Sequence, residues 1–337
     1  MKFSVRFNND LPVRDYIRLA QAAEAAGIDQ FWVSDDLFLR SAPVILTAIA
    51  AATTRIEIGT CIVNPYTIHP AEIAMMAATL DEASGGRFNL GISSGAGEFL
   101  KWIGIDAAAP YTAAVESVTA IRRLLAGEKV AMDGKFLKWT DEAYLRFEPP
   151  RRRIPIYLGA MSPKMLTAIG ALADGGLPLL LPPEHLETVL PYVNEGLAQS
   201  GRTLDQIDLA ACIWVSLSDD RAAAEGVLRE KIAYYGHAMS PLIWDRLGLT
   251  QDDFRSIEAA AMRDGDLKRA AAMVTPQMLK IGVVGTPADL IPRLEHLVSL
   301  GAQHLSFGPP LGDDPLKALD LIGREVIPVF RKGGSHG

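Results

Sequence analysis

The sequence predicts an α/β protein, a closed (β/α)8 barrel of the TIM type, in which eight parallel strands alternate with helices. Three observations lead there. Short apolar runs bounded by turn residues recur along the chain and count to eight. Nearly all of them are separated by apolar residues at helical spacing, which implies parallel βα units. And no low-complexity linker divides the 337 residues. For a single domain of this size a closed barrel fits better than an open doubly wound sheet. The dinucleotide-binding form of the open sheet is weakened further because no GxGxxG follows the first strand.

The elements follow in order. Lys2 to Phe7 alternates, with Phe3, Val5 and Phe7 on one face and Lys2, Ser4 and Arg6 on the other. Val13, Tyr16, Ile17 and Ala20 mark a helix that Pro12 opens and Gly27 stops. A strand over 30–34 runs into Asp35 and Asp36, a helix covers 42–52, and a strand covers 55–63. Pro70 opens a third helix, with Ile73, Met76, Ala77 and Leu80 on one face, and Ser84-Gly85-Gly86 ends it. The strand over 87–92 leads to the small-residue loop Ser93-Ser94-Gly95-Ala96-Gly97-Glu98.

After a longer loop, a helix through Val118, Ile121 and Leu125 stops at Gly127. Residues 128–149 form a hairpin-like excursion with Asp133-Gly134 as its turn signal. Ile154 to Leu158, entered through Pro149 and Pro150, is a strand buried on both faces. Gly159 and Ala160 then allow close backbone approach, Ser162 caps a helix and Pro163 fits its first turn. Strands over 177–181 and 207–217 flank a helix over 183–199. A helical insertion over 219–280 separates strands 7 and 8, a helix lies within 286–300, the last strand is 304–307, and a helix occupies 315–331. The expected division is one domain over 1–331 with a frayed tail, 332–337.

Composition narrows the function. The net charge of −7 and the scarcity of Lys/Arg clusters argue against nucleic acid, and the one basic run, Arg151 to Arg153, is short. Two cysteines, Cys61 and Cys212, sit in apolar strand-like runs, which fits a reducing cytoplasm better than a disulfide scaffold. No signal sequence or membrane-length apolar run is expected. The six histidines have no metal-ligand spacing, so no metal site is expected, and His69 reads as a helix cap.

In such a barrel the chemistry sits at the C-terminal strand ends. Those ends select Arg6, Asp35, Asp36, the stretches 61–66, 93–98, 159–162 and 179–182, Trp214, and 308–310. Arg6 faces the lumen, where an unpaired guanidinium is costly, so it either pairs with Asp35 or Asp36 or reaches an anionic ligand. Asp35 and Asp36 suit helix capping or, alternatively, holding a ring or relaying a proton. Cys61, Ile62 and Asn64 break a strand, either as a bulge behind a flat ring or as a strand leaving the barrel. Ser94, Gly95, Ala96 and Gly97, with Gly159, Ala160, Met161 and Ser162, make two loops able to offer N–H groups to a phosphate. No nucleophile elbow or Walker loop supports a hydrolase or kinase.

At these residues the chain resembles the luciferase-like superfamily of flavin- and deazaflavin-dependent oxidoreductases. Within it, the chain looks most like the methylene-tetrahydromethanopterin reductases. The resemblance rests on MKFSVRF, VNPYTIHPAEIAMMAATLDEASGGRFNLGI, RRLLAGEK, IPIYLGAMSPKML and VVGTPADLIPRLEHLVSLGAQHLSFGPPLG, almost the whole length. It implies coenzyme F420, or alternatively FMN, at the C-terminal mouth, a bulge often carrying a non-prolyl cis peptide near Cys61-Ile62, and a homodimer. Phosphate contacts map onto Gly95 to Gly97 and Gly159 to Ser162, and the acid after the second strand onto Asp35. Two positions depart from the branch. Arg6 stands where it has a glutamate proposed as proton donor, and Asp36 where histidine is common. An arginine cannot give up a proton.

Three functions follow from this reading. The first is hydride transfer between the ring and a small substrate, with Arg6, Asp35 and Asp36 acting in the chemistry and the insertion forming a lid that carries Trp244. The second is an FMN-dependent monooxygenase supplied with reduced flavin. The third is a non-catalytic ring-binding relative.

Overall fold

The computed structural model describes residues 1–95, 97–239 and 241–332. Strands β1 Lys2–Phe7, β2 Gln30–Val33, β3 Glu57–Thr60 and β4 Phe88–Ile92 alternate with helices α1 Val13–Ala25, α2 Ala42–Ala52 and α3 Pro70–Ser84. After β4 come α4 Gly97–Trp102 and α5 Pro110–Leu125, then an antiparallel pair, β5 Met132–Asp133 and β6 Lys138–Trp139. The alternation continues as β7 Ile156–Ala160, α6 Pro163–Leu172, β8 Gly175–Pro178, α7 Leu186–Ser200, β9 Asp208–Leu217 and α8 Arg221–Tyr235. Short helices reach Leu279, followed by β10 Val283–Gly285, the helix Pro287–Ser299 and β11 His304–Leu311.

The main sheet runs β10-β9-β11-β1-β2-β3-β4-β7-β8, and a further β8–β9 pairing closes eight of these strands into a ring. β10 stays outside that ring. It pairs with the last residues of β9, Val283 opposite Val215, beyond the bridge that joins Leu179 to Cys212 after β8. The expectation of eight strands missed it because β10 has three residues, too short for any period to show.

Alternation on β1 divides core from lumen. Phe3 packs outward, its ring 6.3 Å from those of Phe307 and Phe330, while Ser4 hydrogen-bonds Ser306 inside. Burying each such aromatic contributes about 1.5–3 kcal/mol. Trp32 and Tyr157, with centroids 4.9 Å apart, fill the lumen together with Leu177, Ala210 and Cys212.

Two strands are shifted from their expected positions. β7 begins at Ile156 and includes Gly159 and Ala160, and β8 begins at Gly175, ahead of the expected start at Leu177. A Cβ on Gly175 would strike the Tyr157 ring, and one on Gly176 would crowd Ile169 and Leu209. The glycine pair is therefore strand, made possible by the bulky neighbours that occupy the side-chain space.

Within 219–280 the helices build a core of their own from Leu228, Ile232, Trp244, Phe254 and Met278. Trp244 stacks on Phe254 at 6.0 Å and donates its indole N–H to the Gly236 carbonyl, so it faces that core and not a ligand. Among the described residues, no helix is long and apolar enough to cross a membrane.

Candidate functional site

Two residues beyond Ser4 on the lumen face of β1, Arg6 reaches the C-terminal end of the barrel. Arg6 is 8% exposed; Nη2 donates to the Ile213 carbonyl at 2.8 Å, and Nε has no hydrogen-bond partner among the described residues. Gly308 on β11 makes room for it, since a Cβ there would collide with Nη2. The internal salt bridge weighed from the sequence is absent. Asp35 instead accepts the Ala42 N–H at 2.9 Å, capping α2, and Asp36 accepts the Ser34 hydroxyl at 3.2 Å.

Above Arg6 lies a cavity of about 590 Å³, within the range of about 300–1,000 Å³ usual for cofactor sites. Arg6, Asp35, Asp36, Cys61, Ile62, Asn64, Ser94, Gly95, Gly159, Ala160, Met161 and Ser162 all line it. Gly97 does not; it opens α4 and is exposed. Ala96 falls outside the described residues. Leu37, Phe99, Leu177 and Cys212 also line the cavity and were not expected there. Cys212 was legible in principle, because Asp208, Ala210 and Cys212 alternate toward the lumen on one strand.

Both glycine loops lean on the break after β3. The Cys61–Ile62 peptide is cis, as the resemblance implied, and the Asn64 carboxamide oxygen braces the turn by accepting N–H bonds from Tyr66 and Thr67, both at 3.1 Å. Gly159 sits in a tight place, since a Cβ would lie 3.1 Å from Ile62 Cγ2 and 3.2 Å from Ser93 Cβ. Ser93 donates its hydroxyl to the Gly159 carbonyl at 2.8 Å, tying one loop to the other. Gly95, with φ of 76°, sits over the Asn64 side chain. Ser162 precedes α6 but makes no side-chain cap, which leaves the first-turn N–H groups of that helix to another acceptor.

The charges at this mouth are perturbed by enclosure. Burial raises the pKa values of Asp35 and Asp36; the Ala42 N–H opposes it at Asp35, and Ser34 and Lys231 oppose it at Asp36. Burial also pushes the Cys61 thiol up to about 12, against the pull of Arg6. Sequence reasoning missed Lys231, which is carried on α8 and lines a separate cavity of about 420 Å³ at this end with Phe7, Asp10 and Pro309. Its ammonium lies 4.1 Å from the Tyr235 ring centroid and 5.4 Å from that of Trp214. Burial lowers its pKa to about 8, Asp10 and Asp36 oppose the shift, and Arg6 adds to it.

A second cavity, about 760 Å³, opens at the N-terminal end and is lined by Lys2, Tyr157 and Asp208 among others. It lacks the two glycine loops, and its Lys2 is already paired, 2.8 Å from Asp208. The ring-sized site is therefore the C-terminal one. No group of three or more His, Cys, Asp or Glu side chains is gathered to hold a metal among the described residues.

A family model described as luciferase-like monooxygenase matches residues 1–304. The 5,10-methylenetetrahydromethanopterin reductase of Archaeoglobus fulgidus is 35% identical over 98% of this chain and 100% of its own length. An F420-dependent glucose-6-phosphate dehydrogenase of Microbacterium testaceum is 29% identical, over 92% of this chain and 91% of its own. Among solved structures, the coenzyme F420 dependent tetrahydromethanopterin reductase of Methanopyrus kandleri superposes with a TM-score of 0.92 at 30% identity, covering 98% of this chain and 99% of that one.

Proposed function

The chain belongs to the luciferase-like monooxygenase family, and from that membership we propose that it is an oxidoreductase moving a hydride between coenzyme F420 and a small organic substrate. The observation that carries the proposal is Arg6: a buried guanidinium at a ring-sized cavity, with Nε unpartnered and no carboxylate bound to it among the described residues. A buried cation left this way calls for an anion, and the deprotonated ring of a deazaflavin or an anionic substrate supplies one. The named relatives that depend on F420 support the choice of cofactor.

When bound, the deazaflavin supplies a two-electron carrier for the hydride. The protein's part is position and charge. Cys61 and Ile62 back the ring, while Gly95, Gly159 to Ser162 and the start of α6 take the phosphorylated tail. Arg6 meets the negative charge. Because arginine cannot serve as a proton donor, that duty falls to Asp36, whose raised pKa keeps it closer to neutral pH than a free carboxylate. Asp35 braces the turn into α2. The insertion over 219–280 acts as a lid, on a single domain over 1–331 that works as a cytoplasmic homodimer. The unpaired Cys61 and Cys212 fit a reducing compartment.

The test is a titration of the purified chain with F420 and with FMN, read by absorbance and fluorescence. Tight F420 binding with weak FMN binding is the expected result. A yellow preparation holding FMN would favour the monooxygenase, and ring binding without turnover for any donor and acceptor pair would favour a non-catalytic relative.

A further inference from the structure

Barrel lumens are ordinarily packed with branched apolar side chains, yet a column of polar groups runs up the axis of this one. Asp208, at the foot of β9, holds the imidazole of His304, with Oδ1 2.7 Å from Nδ1. His304 Nε2 lies 2.8 Å from the Ser4 hydroxyl, which lies 2.7 Å from the Ser306 hydroxyl. Ser306 is in register with Cys212 on the next strand, which makes its hydroxyl and the Cys212 thiol neighbours on the lumen face. Asp208 lines the N-terminal cavity and Cys212 lines the C-terminal one, so the column joins the two. Between them Ser4, Ser306, His304 and Cys212 are all 1% exposed or less.

We propose that Asp208, His304, Ser4, Ser306 and Cys212 form a proton relay through the lumen, exchanging a proton between the floor of the ring pocket and the His304–Asp208 pair. The proposal rests on the F420 reading for its purpose. Hydride transfer moves a proton as well, and a ring lying across the mouth shields the pocket from water. Arg6, the cation at that floor, has no proton to give.

The hydrogen bonds fix how the column would work. With neutral His304 carrying its proton on Nδ1 toward Asp208, Nε2 accepts from Ser4 and Ser4 accepts from Ser306, and the relay has the neighbouring Cys212 thiol turn its proton toward Ser306. A proton released in the pocket passes to Cys212 as the thiol gives its own to Ser306. Ser306 then gives its own to Ser4, and Ser4 gives its own to Nε2. Each oxygen and sulfur ends with one proton, and His304 ends as imidazolium beside the Asp208 carboxylate. The Ser4–Ser306 bond now points the other way, and the reverse passage returns the proton. Hydroxyl rotation makes both senses available. Around the pair stand Lys2 on β1, 2.8 Å from Asp208, and Tyr157 on β7, which donates to Asp208 at 2.8 Å. Gln30 on β2 lies 3.4 Å from Asp208 and bonds Glu57 on β3, which is 3.9 Å from Lys2. At the upper end Arg6 and Cys61 are the other titratable groups near Cys212.

The test begins with the cofactor-free chain. The imidazole ¹⁵N shifts of His304 and the S–H stretching band of Cys212, identified by its loss in Cys212→Ala, are followed against pH. The relay predicts that the band shifts at the His304 midpoint, and that in Ser306→Ala the imidazole still titrates while the band no longer responds. A band indifferent to His304 in the unsubstituted chain, or a response that survives Ser306→Ala, overturns it. Calorimetric F420 binding in buffers of different ionisation enthalpy then reads proton linkage. A change in protons bound that is abolished in His304→Gln and Ser306→Ala, with affinity held within about threefold, is the expected result. Linkage unaltered by both variants contradicts the relay. F420 that fails to bind contradicts the cofactor reading instead, and the cofactor-free titrations then decide the relay by themselves.

Discussion

The two ends of the barrel lumen are made by the same inward alternation on the same strands, and they finish in opposite states. At the N-terminal end Asp208 gathers Lys2 at 2.8 Å, Tyr157 at 2.8 Å and His304 at 2.7 Å. At the C-terminal end Arg6 Nε has no partner among the described residues, and Lys231 leans on two aromatic faces. A buried polar group left unmade is expensive, so an end that tolerates one is kept for something that arrives later. The saturated end serves stability, and the unsaturated end serves a ligand.

The largest effect should come from breaking the saturated end. Asp208→Leu strands Lys2, Tyr157 and His304 together and should lower stability by about 3 kcal/mol in urea denaturation, with far less change in F420 affinity. Burial alone would raise the Asp208 pKa, but the hydrogen bond with His304 and then the ion pair with Lys2 outweigh it and hold the carboxylate well below its ordinary 3.8. A group with a depressed folded pKa stabilises above its unfolded value and loses that contribution as the pH falls toward the folded one. Acid unfolding below pH 3.8 should therefore be blunted in the variant.

At the other end, Arg6→Met keeps the length and removes the charge. Turnover should drop about a hundredfold, measured as kcat with saturating F420. A loss of folding stability equal to that of Asp208→Leu would erase the contrast between the two ends. Gly159→Val fills the gap between Ile62 and Ser93 and should weaken F420 binding about tenfold, whereas unchanged affinity removes that loop from the site. The smallest effect belongs to Lys231. Affinity for an anionic ligand should fall as its amine loses charge above about pH 8, and Lys231→Met should flatten that limb. Because its folded pKa lies below the ordinary 10.5, its contribution makes stability rise with pH between about 8 and 10.5.

Much of this contrast was legible in the chain. Alternation over Lys2 to Phe7 sends Ser4 and Arg6 inward, and small residues after two strands mark loops that meet at one mouth. What stayed hidden depends on partners distant in sequence. The sequence starts the strand at Leu177 and not at Gly175 because the rings and branches that fill the missing side-chain space of Gly175 and Gly176, namely Tyr157, Ile169 and Leu209, are visible only in three dimensions. His304 and Asp208 lie 96 residues apart, and neither belongs to a local motif. Lys231 sits on a helix whose period announces only a surface, and Trp244 reads as a ligand-facing aromatic until the insertion is seen to have a core of its own.

The most direct test of the central claim compares the urea stability of the unsubstituted chain and Arg6→Met, each with and without saturating F420. If the mouth is left unsatisfied for a ligand, Arg6→Met alone should be as stable as the parent or more so, while the gain on adding F420 should be large in the parent and mostly lost in the variant. A variant that is markedly less stable alone, yet gains as much from F420 as the parent does, would contradict it.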